Sequence, residues 1–202
     1  QLVVENAYGK DTLTRPAYIH VGGIQSPVVE EFVAAIPSRW TVENPDYSQG
    51  WGIAPVGSAN DNTSAIFRGY GYSAAGQTDN LISPSYLIDT ASTLVYDLAY
   101  RPLTGGASDT LTVFISTDCG DTWTSLRQYV ETGNNSFATG AAQSNAFVPS
   151  SSSDWRTDSI DLTGYTGQVR FKFEARNSNG NHVYLDFLRI ASASLPAPTA
   201  DF

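Results

Sequence analysis

The stretch Asp109 to Trp123, DTLTVFISTDCGDTW, constrains this chain more than any other. Its first half alternates: Leu111, Val113 and Ile115 point one way, and Thr110, Thr112, Phe114 and Ser116 point the other. A period of two marks a half-buried strand. Ser116-Thr117-Asp118-Cys119-Gly120-Asp121-Thr122-Trp123 follows. Gly120 takes a positive φ without strain, and Asp118 can hydrogen-bond the turn backbone from its own side chain. Thr122 and Trp123 open the return strand, with the indole closing the hairpin from one side. The stretch reads as a structural β-hairpin, with no catalytic role for Asp118 or Asp121.

The same pattern runs through the rest of the chain. Pro27 to Phe32, Gly50 to Ile53, Ala65 to Tyr70, Thr93 to Arg101, Ser125 to Glu131, Asp158 to Leu162, Gln168 to Ala175 and His182 to Ile190 read as strands, with turn residues between them. In Thr93 to Arg101, Leu94, Tyr96, Leu98 and Tyr100 share one face. In Gln168 to Ala175, Val169, Phe171 and Phe173 alternate with Arg170, Lys172 and Glu174, so that strand has one wet face. Thr132 to Asp154, rich in Ser, Asn, Gly and Ala, is a long loop, and long loops are functional or mobile. No amphipathic helix exceeds a turn or two. Many short strands with this punctuation predict an all-β, antiparallel sandwich of two sheets.

Composition limits the partners. Of 202 residues, 41% are hydrophobic, enough to bury the core of one large β domain. No run approaches the ~18 apolar residues of a membrane span. Lys+Arg number 11 against 20 Asp+Glu, a formal charge of −9. Such a surface repels phosphate backbones, so nucleic acid is not an expected partner, whereas calcium and an extracellular setting suit it. Cys119 is the single cysteine and can form neither an internal disulfide nor a zinc site. The chain carries no methionine and no signal peptide, and is expected to be a segment of a longer precursor.

Enzyme signatures are missing: there is no HExxH, nucleophile elbow or phosphate loop. His20 and His182 are the only histidines, and neither has a second ligand near it in sequence. Several carboxylates occupy unusual places. Asp186 in VYLDFL and Asp97 in LVYDLAY have apolar neighbours on both sides. A carboxylate in such a strand is paired, hydrogen-bonded, at an edge, or on a metal. Glu30, Glu31 and Asp79 are further oxygen donors, and hard oxygen ligands without His or Cys suit calcium. The competing reading pairs each carboxylate with Arg or backbone amides. Tyr47, Trp51, Tyr70 and Tyr72 are candidates for a sugar-binding face, since aromatic rings stack on sugars; their alternative is core packing. Trp40 and Trp123 read as core.

Three resemblances add to this. S-x-D-x-G-x-T-W at Ser116 to Trp123 resembles the Asp-box hairpin of sialidase-like propellers, where it is a folding device remote from the chemistry. EEFVAAIPSRWTVENPD, TDNLISP, LVYDLAYRP, DTLTVFISTDCGDTW and WRTDSIDLTGYTGQVRFKFEARNSNGNHVYLDFLRI, in that order, resemble the MAM-like jelly roll called choice-of-anchor J, similar to cleaved adhesin modules of bacterial surface proteins. ENAYGKDTLTRPAYIHV resembles the last two strands of a PKD repeat, with strands at Leu2 to Asn6 and Ala17 to Val21 and a turn at Tyr8 to Asp11. LPAPTADF resembles a linker and the start of another. These imply a jelly-roll module over residues 22–194, between PKD-like remnants at 1–21 and 195–202. That order is similar to the region that follows the catalytic domain in secreted pappalysin-type metallopeptidases.

The resemblance implies an extracellular, non-catalytic adhesion or accessory module, secreted or at the cell surface, that contacts a protein or glycan and the neighbouring domains of its own chain. A dedicated carbohydrate-binding module is the alternative. It also implies a structural calcium ion at the seam of first and last strands, held by Glu30 and Asp186, with Glu31 the neighbouring alternative and Asp79 reaching from its loop. Val33 departs from the adhesin pattern, in which an acidic residue often follows the Phe.

Overall fold

The computed structural model describes residues 2–6, 9–13, 22–58, 62–106, 108–131, 133 and 136–192. They form fifteen strands and a single 3-10 turn, at Ser152–Asp154. The strands are β1 (Leu2–Asn6), β2 (Gly9–Leu13), β3 (Ile24–Gln25), β4 (Val28–Glu30), β5 (Thr41–Glu43), β6 (Trp51–Ala54), β7 (Ser64–Phe67), β8 (Thr78–Ile82), β9 (Tyr86–Ile88), β10 (Ser92–Tyr100), β11 (Thr110–Ser116), β12 (Thr124–Val130), β13 (Arg156–Asp161), β14 (Gly167–Arg176) and β15 (Val183–Ser192). No helix among the described residues is long and apolar enough to cross a membrane.

Two sheets make the sandwich. One runs β13-β10-β15-β7-β6, with β4 also on β15; the other runs β12-β11-β14-β8-β5, with β9 on β14 and β3 on β9. Every pairing is antiparallel except β3 with β9. Alternation decides what lies between the sheets. Leu94, Tyr96, Leu98 and Tyr100 of β10 face Leu111, Val113 and Ile115 of β11 and Val169, Phe171 and Phe173 of β14 in one continuous core. The face predicted for Thr93 to Arg101 is therefore the inner one.

The N-terminal hairpin differs from expectation. β2 follows β1 almost at once and pairs with it from Leu2–Leu13 to Asn6–Gly9, so Gly9, Lys10 and Asp11, expected to turn, are already strand, while Tyr8 lies outside the described residues. Ala17 to Val21, His20 and the segment 195–202 lie outside the described residues.

The β11–β12 hairpin is held by its own side chains. Asp118 Oδ1 accepts from Ser116 Oγ (2.7 Å) and the Thr122 amide (2.9 Å), while its Oδ2 accepts from the Thr122 hydroxyl. Ser116 Oγ in turn accepts from the Asp118 and Gly120 amides. The Thr122 and Ser116 donors hold the Asp118 carboxyl down at about 2, so it is ionised and fully engaged. Trp123 is half-buried and outside the core: with Phe114 it lies on the outer face, under the Lys172 ammonium at 5.3 and 4.3 Å. Gly120 sits at φ +101°, and a Cβ there would meet Arg170 Nη1 at 3.3 Å. Gly120→Val is expected to cost about 1–3 kcal/mol in a denaturant melt. An unchanged midpoint would show that the turn does not depend on glycine.

Candidate functional site

The loop between β5 and β6 builds the most unusual cluster of the molecule. Asn44 Nδ2 donates to the Ser48 carbonyl (2.8 Å), the Ser48 amide to Asp46 Oδ1 (3.1 Å), and the Tyr47 amide to the Asn44 carbonyl (3.3 Å). Asn and Asp close such turns with their own side chains. Here the turn forces Tyr47 to φ +55° and leaves its ring 94% exposed. The same turn delivers Asp46 to the Tyr72 hydroxyl, which donates to its Oδ2 at 2.7 Å.

Asp79 enters from β8. Leu81, two residues on and on the same face, is core, so Asp79 points between the sheets near their end. It is completely buried, and neither carboxylate oxygen has a hydrogen-bond partner. Asn44 Oδ1 is likewise buried and unpartnered. Gly50 leaves room for both: a Cβ there would lie 3.0 Å from Asn44 Nδ2 and 3.1 Å from Asp79 Oδ1. Burial, and then the charge of Asp46, raise the Asp79 carboxyl to about 6, against a smaller opposing effect of Tyr72. Burial and Asp46 push Tyr72 in the same direction, well above an ordinary phenol. Two carboxylates, an amide oxygen and a phenol thus converge where no cationic side chain among the described residues reaches. A buried carboxylate without a donor must take a proton or a cation.

The other expected ligands are engaged elsewhere. Glu30 is buried, and its oxygens accept from the Phe32 amide (3.2 Å), the Arg39 guanidinium and the Trp40 indole (3.1 Å). Arg39 supplies the positive charge that a seam ion would have brought. Asp186 lies on the opposite face of the sheet. Leu185 and Leu188 both face the core, and the extra residue between them, Phe187 at φ +46°, leaves Asp186 pointing outward beside its cross-strand neighbour Asp97. Ser58 ties this pair, its amide to Asp186 (2.7 Å) and its hydroxyl to Asp97 (2.8 Å), while Thr157 Oγ1 also reaches Asp97. The structure therefore does not bring Glu30 and Asp186 together. Glu31 is exposed on the wall of a cleft of about 550 Å³, with Val29, Val33, Pro37, Arg39 and Phe187. Of the four residues expected to bind metal, only Asp79 has free oxygens of this kind. Among the described residues no three His, Cys, Asp or Glu side chains converge anywhere.

The four aromatic candidates separate. Trp51 is core, packed on Phe67 at 5.8 Å with its indole donating to the Asp79 carbonyl. Tyr72 is core as well, packed on Phe67 at 6.3 Å. Only Tyr47 and Tyr70 present rings to solvent. Tyr70 lies edge-on to His182 (6.0 Å), which continues through Tyr184 to Trp155 along the outer face of the β10–β15 sheet. Trp155 and His182 were not signalled as ring partners in the sequence, because a ring at a strand end or in a loop has no period to mark it.

No protein-family model matches this sequence, and no curated protein matches it. Solved structures do. The K1 cleaved adhesin domain of Lys-gingipain from Porphyromonas gingivalis W83 is similar over 84% of this chain and 99% of its own length, at 19% identity and a TM-score of 0.59. The K3 cleaved adhesin domain of the same protein is similar over 82% and 98%, at 18% identity and a TM-score of 0.56. A carbohydrate-binding module of the β-sandwich superfamily is similar over 94% of this chain and 72% of its own, at 10% identity and a TM-score of 0.51. At these identities the likeness is one of fold: the chain is a two-sheet β-sandwich.

Proposed function

We propose that this segment is a non-catalytic binding module of a secreted or cell-surface bacterial protein, which holds its parent against an extracellular glycan or protein. The observation that carries this reading is the fold: nearly the full length of two adhesin domains is covered by it. The domain order argued from sequence, with PKD-like remnants on both sides, makes a metallopeptidase the expected parent. A dedicated carbohydrate-binding module is the second reading, favoured by the likeness to a sugar-binding sandwich. Passing the protein over immobilised glycans and extracellular matrix proteins tests both. Saturable retention without turnover is expected; retention by neither class would contradict the proposal and leave the module a spacer.

Calcium belongs to the same proposal, with its ligands reassigned. Asp79, Asp46 and Asn44 offer oxygens only, and the orphaned carboxylate of Asp79 is what a hard cation would satisfy. Backbone carbonyls and water would complete the shell. The ion would neutralise Asp79 together with the Asp46 charge that raises its proton affinity, and it would hold the β5–β6 loop, with Tyr47 at its tip, against β8.

A further inference from the structure

On the outer face of the β10–β15 sheet stands a guanidinium that no acid among the described residues answers. Arg68 follows β7 directly, two residues on from Ile66, which lies on the outer face. Its Nη2 donates to the Ile53 carbonyl at 3.0 Å, and its Nη1 edge closes on Gly52, where a Cβ would come within 2.2 Å of Nη1. Among the described residues no carboxylate is within ion-pair distance of it, in a chain whose acids outnumber its bases by 20 to 11. It is half-buried and held in place.

Its neighbours complete the arrangement. His182 lies one residue beyond the Val183–Phe67 pair, which sets it beside Arg68. Its Nδ1 accepts from the Tyr70 amide at 3.3 Å, so the neutral ring carries its proton on Nε2. Burial, and then the Arg68 charge, hold His182 down at about 4, so it is neutral at physiological pH. Tyr70 is held against it because residue 69 is glycine; a Cβ there would sit 2.4 Å from the Asn181 carbonyl. The Tyr70 ring is 36% exposed.

We propose that Arg68, His182 and Tyr70 form a subsite for a sugar ring bearing a carboxylate. The guanidinium takes the carboxylate, His182 Nε2–H donates to a ring hydroxyl or the same carboxylate, and the ring packs against Tyr70. This rests on the glycan form of the proposed function. A single carboxylate fits a chain at −9 better than a polyanion does, since charges beyond about 10 Å are largely screened at 0.1 M salt.

The test is calorimetric titration at 0.15 M salt with two acid sugars and their neutral counterparts: sialyllactose against lactose, and a glucuronate-terminated disaccharide against its glucose-terminated analogue. At least one acid sugar should bind tenfold or more tightly than its counterpart, and the pair that shows the preference distinguishes sialic from uronic acid. Arg68→Gln should abolish the preference. Gly52→Ala, which keeps the charge but pushes the guanidinium off its seat, should weaken it several-fold. Thermal melts of both variants check folding, and the comparison of ligands on unmodified protein does not depend on them. Acid and neutral sugars binding alike, or a preference surviving Arg68→Gln, would overturn the subsite and leave the glycan reading standing. No binding of any of the four to the unmodified protein would overturn the subsite. Silence across a wider glycan array as well would overturn the glycan reading with it.

Discussion

Asp79→Asn should raise the thermal midpoint of the protein in chelator and remove its response to calcium. Both effects have one cause. The Asp79 carboxylate is buried with no donor on either oxygen, beside Asp46, so in the ion-free protein near neutral pH its charge destabilises the fold. An amide in its place removes that charge and the ligand together. In the unmodified protein, calcium at 100 times its dissociation constant adds about 2.7 kcal/mol, since it binds only the folded chain. For a chain of this size that is a rise of about 5–10 °C. The two melting curves should therefore cross: the variant melts higher in EDTA, the unmodified protein higher in millimolar calcium. Equal midpoints for both proteins in both conditions would contradict the assignment.

The second large effect is a stability that rises on mild acidification. Asp109 is buried at the start of β11 and accepts from the Ser178 (2.6 Å) and Asn181 (3.0 Å) amides. Burial, with the adjacent Glu131 charge, raises it to about 6 in spite of those amides. Glu131 accepts from the Tyr100 hydroxyl and the Asp109 amide, so two buried acids share one neighbourhood. An acid whose folded pKa is raised binds its proton more tightly when folded. Its penalty is absent below the unfolded value of 3.8, grows between 3.8 and about 6, and is complete above that. It amounts to roughly 2–3 kcal/mol. Asp118, Asp154 and Asp161 are shifted down, and their contributions are lost as pH falls below the unfolded value, so these groups together place the optimum at about pH 4. Denaturant melts at pH 7.5 and pH 5 measure this. They are best made in the Asp79→Asn background, where the other raised acid is gone. Asp109→Asn should shrink the difference between the two pH values, whatever it costs in absolute stability. An unchanged difference would place the proton elsewhere.

Much of the sandwich was legible because its strands are long enough to show their period. Leu94, Tyr96, Leu98 and Tyr100 follow the rule through a whole strand, and all are fully buried. β3, β5 and β9 are only two or three residues long and carry no such signal; their pairing comes from neighbours distant in sequence. The hairpin at Asp118 was readable for a different reason, since its hydrogen bonds are local and fixed by residue type. Trp123 was misplaced because alternation gives the two faces of a strand but not which of them an indole at its edge will take.

The site was less legible. Asp79 stood out beside a strand, yet its partners Asn44 and Asp46 sit in a loop with no period, and they meet it only through the β5–β8 pairing. Trp51 and Tyr72 could not be told from Tyr47 and Tyr70 by type, since sugar platforms and cores use the same rings; the register of β6 decides for Trp51, and the turns outside β6 and β7 decide for the three tyrosines. Glu30 and Asp186 are near in the pairing of first and last strands, but one bulged residue, Phe187, puts their side chains on opposite faces. A bulge is a property of the pairing, and no residue in YLDFL announces it.

Calcium titrated into chelator-stripped protein by calorimetry separates the two possible cation sites most directly. The ligands assigned above require one ion per chain, lost in Asp79→Asn, weakened in Asp46→Asn, and retained in Glu30→Gln and Asp186→Asn wherever those variants fold. Binding that survives Asp79→Asn but disappears in Glu30→Gln and Asp186→Asn would return the ion to the strand seam, and no binding to the unmodified protein would remove calcium from this module.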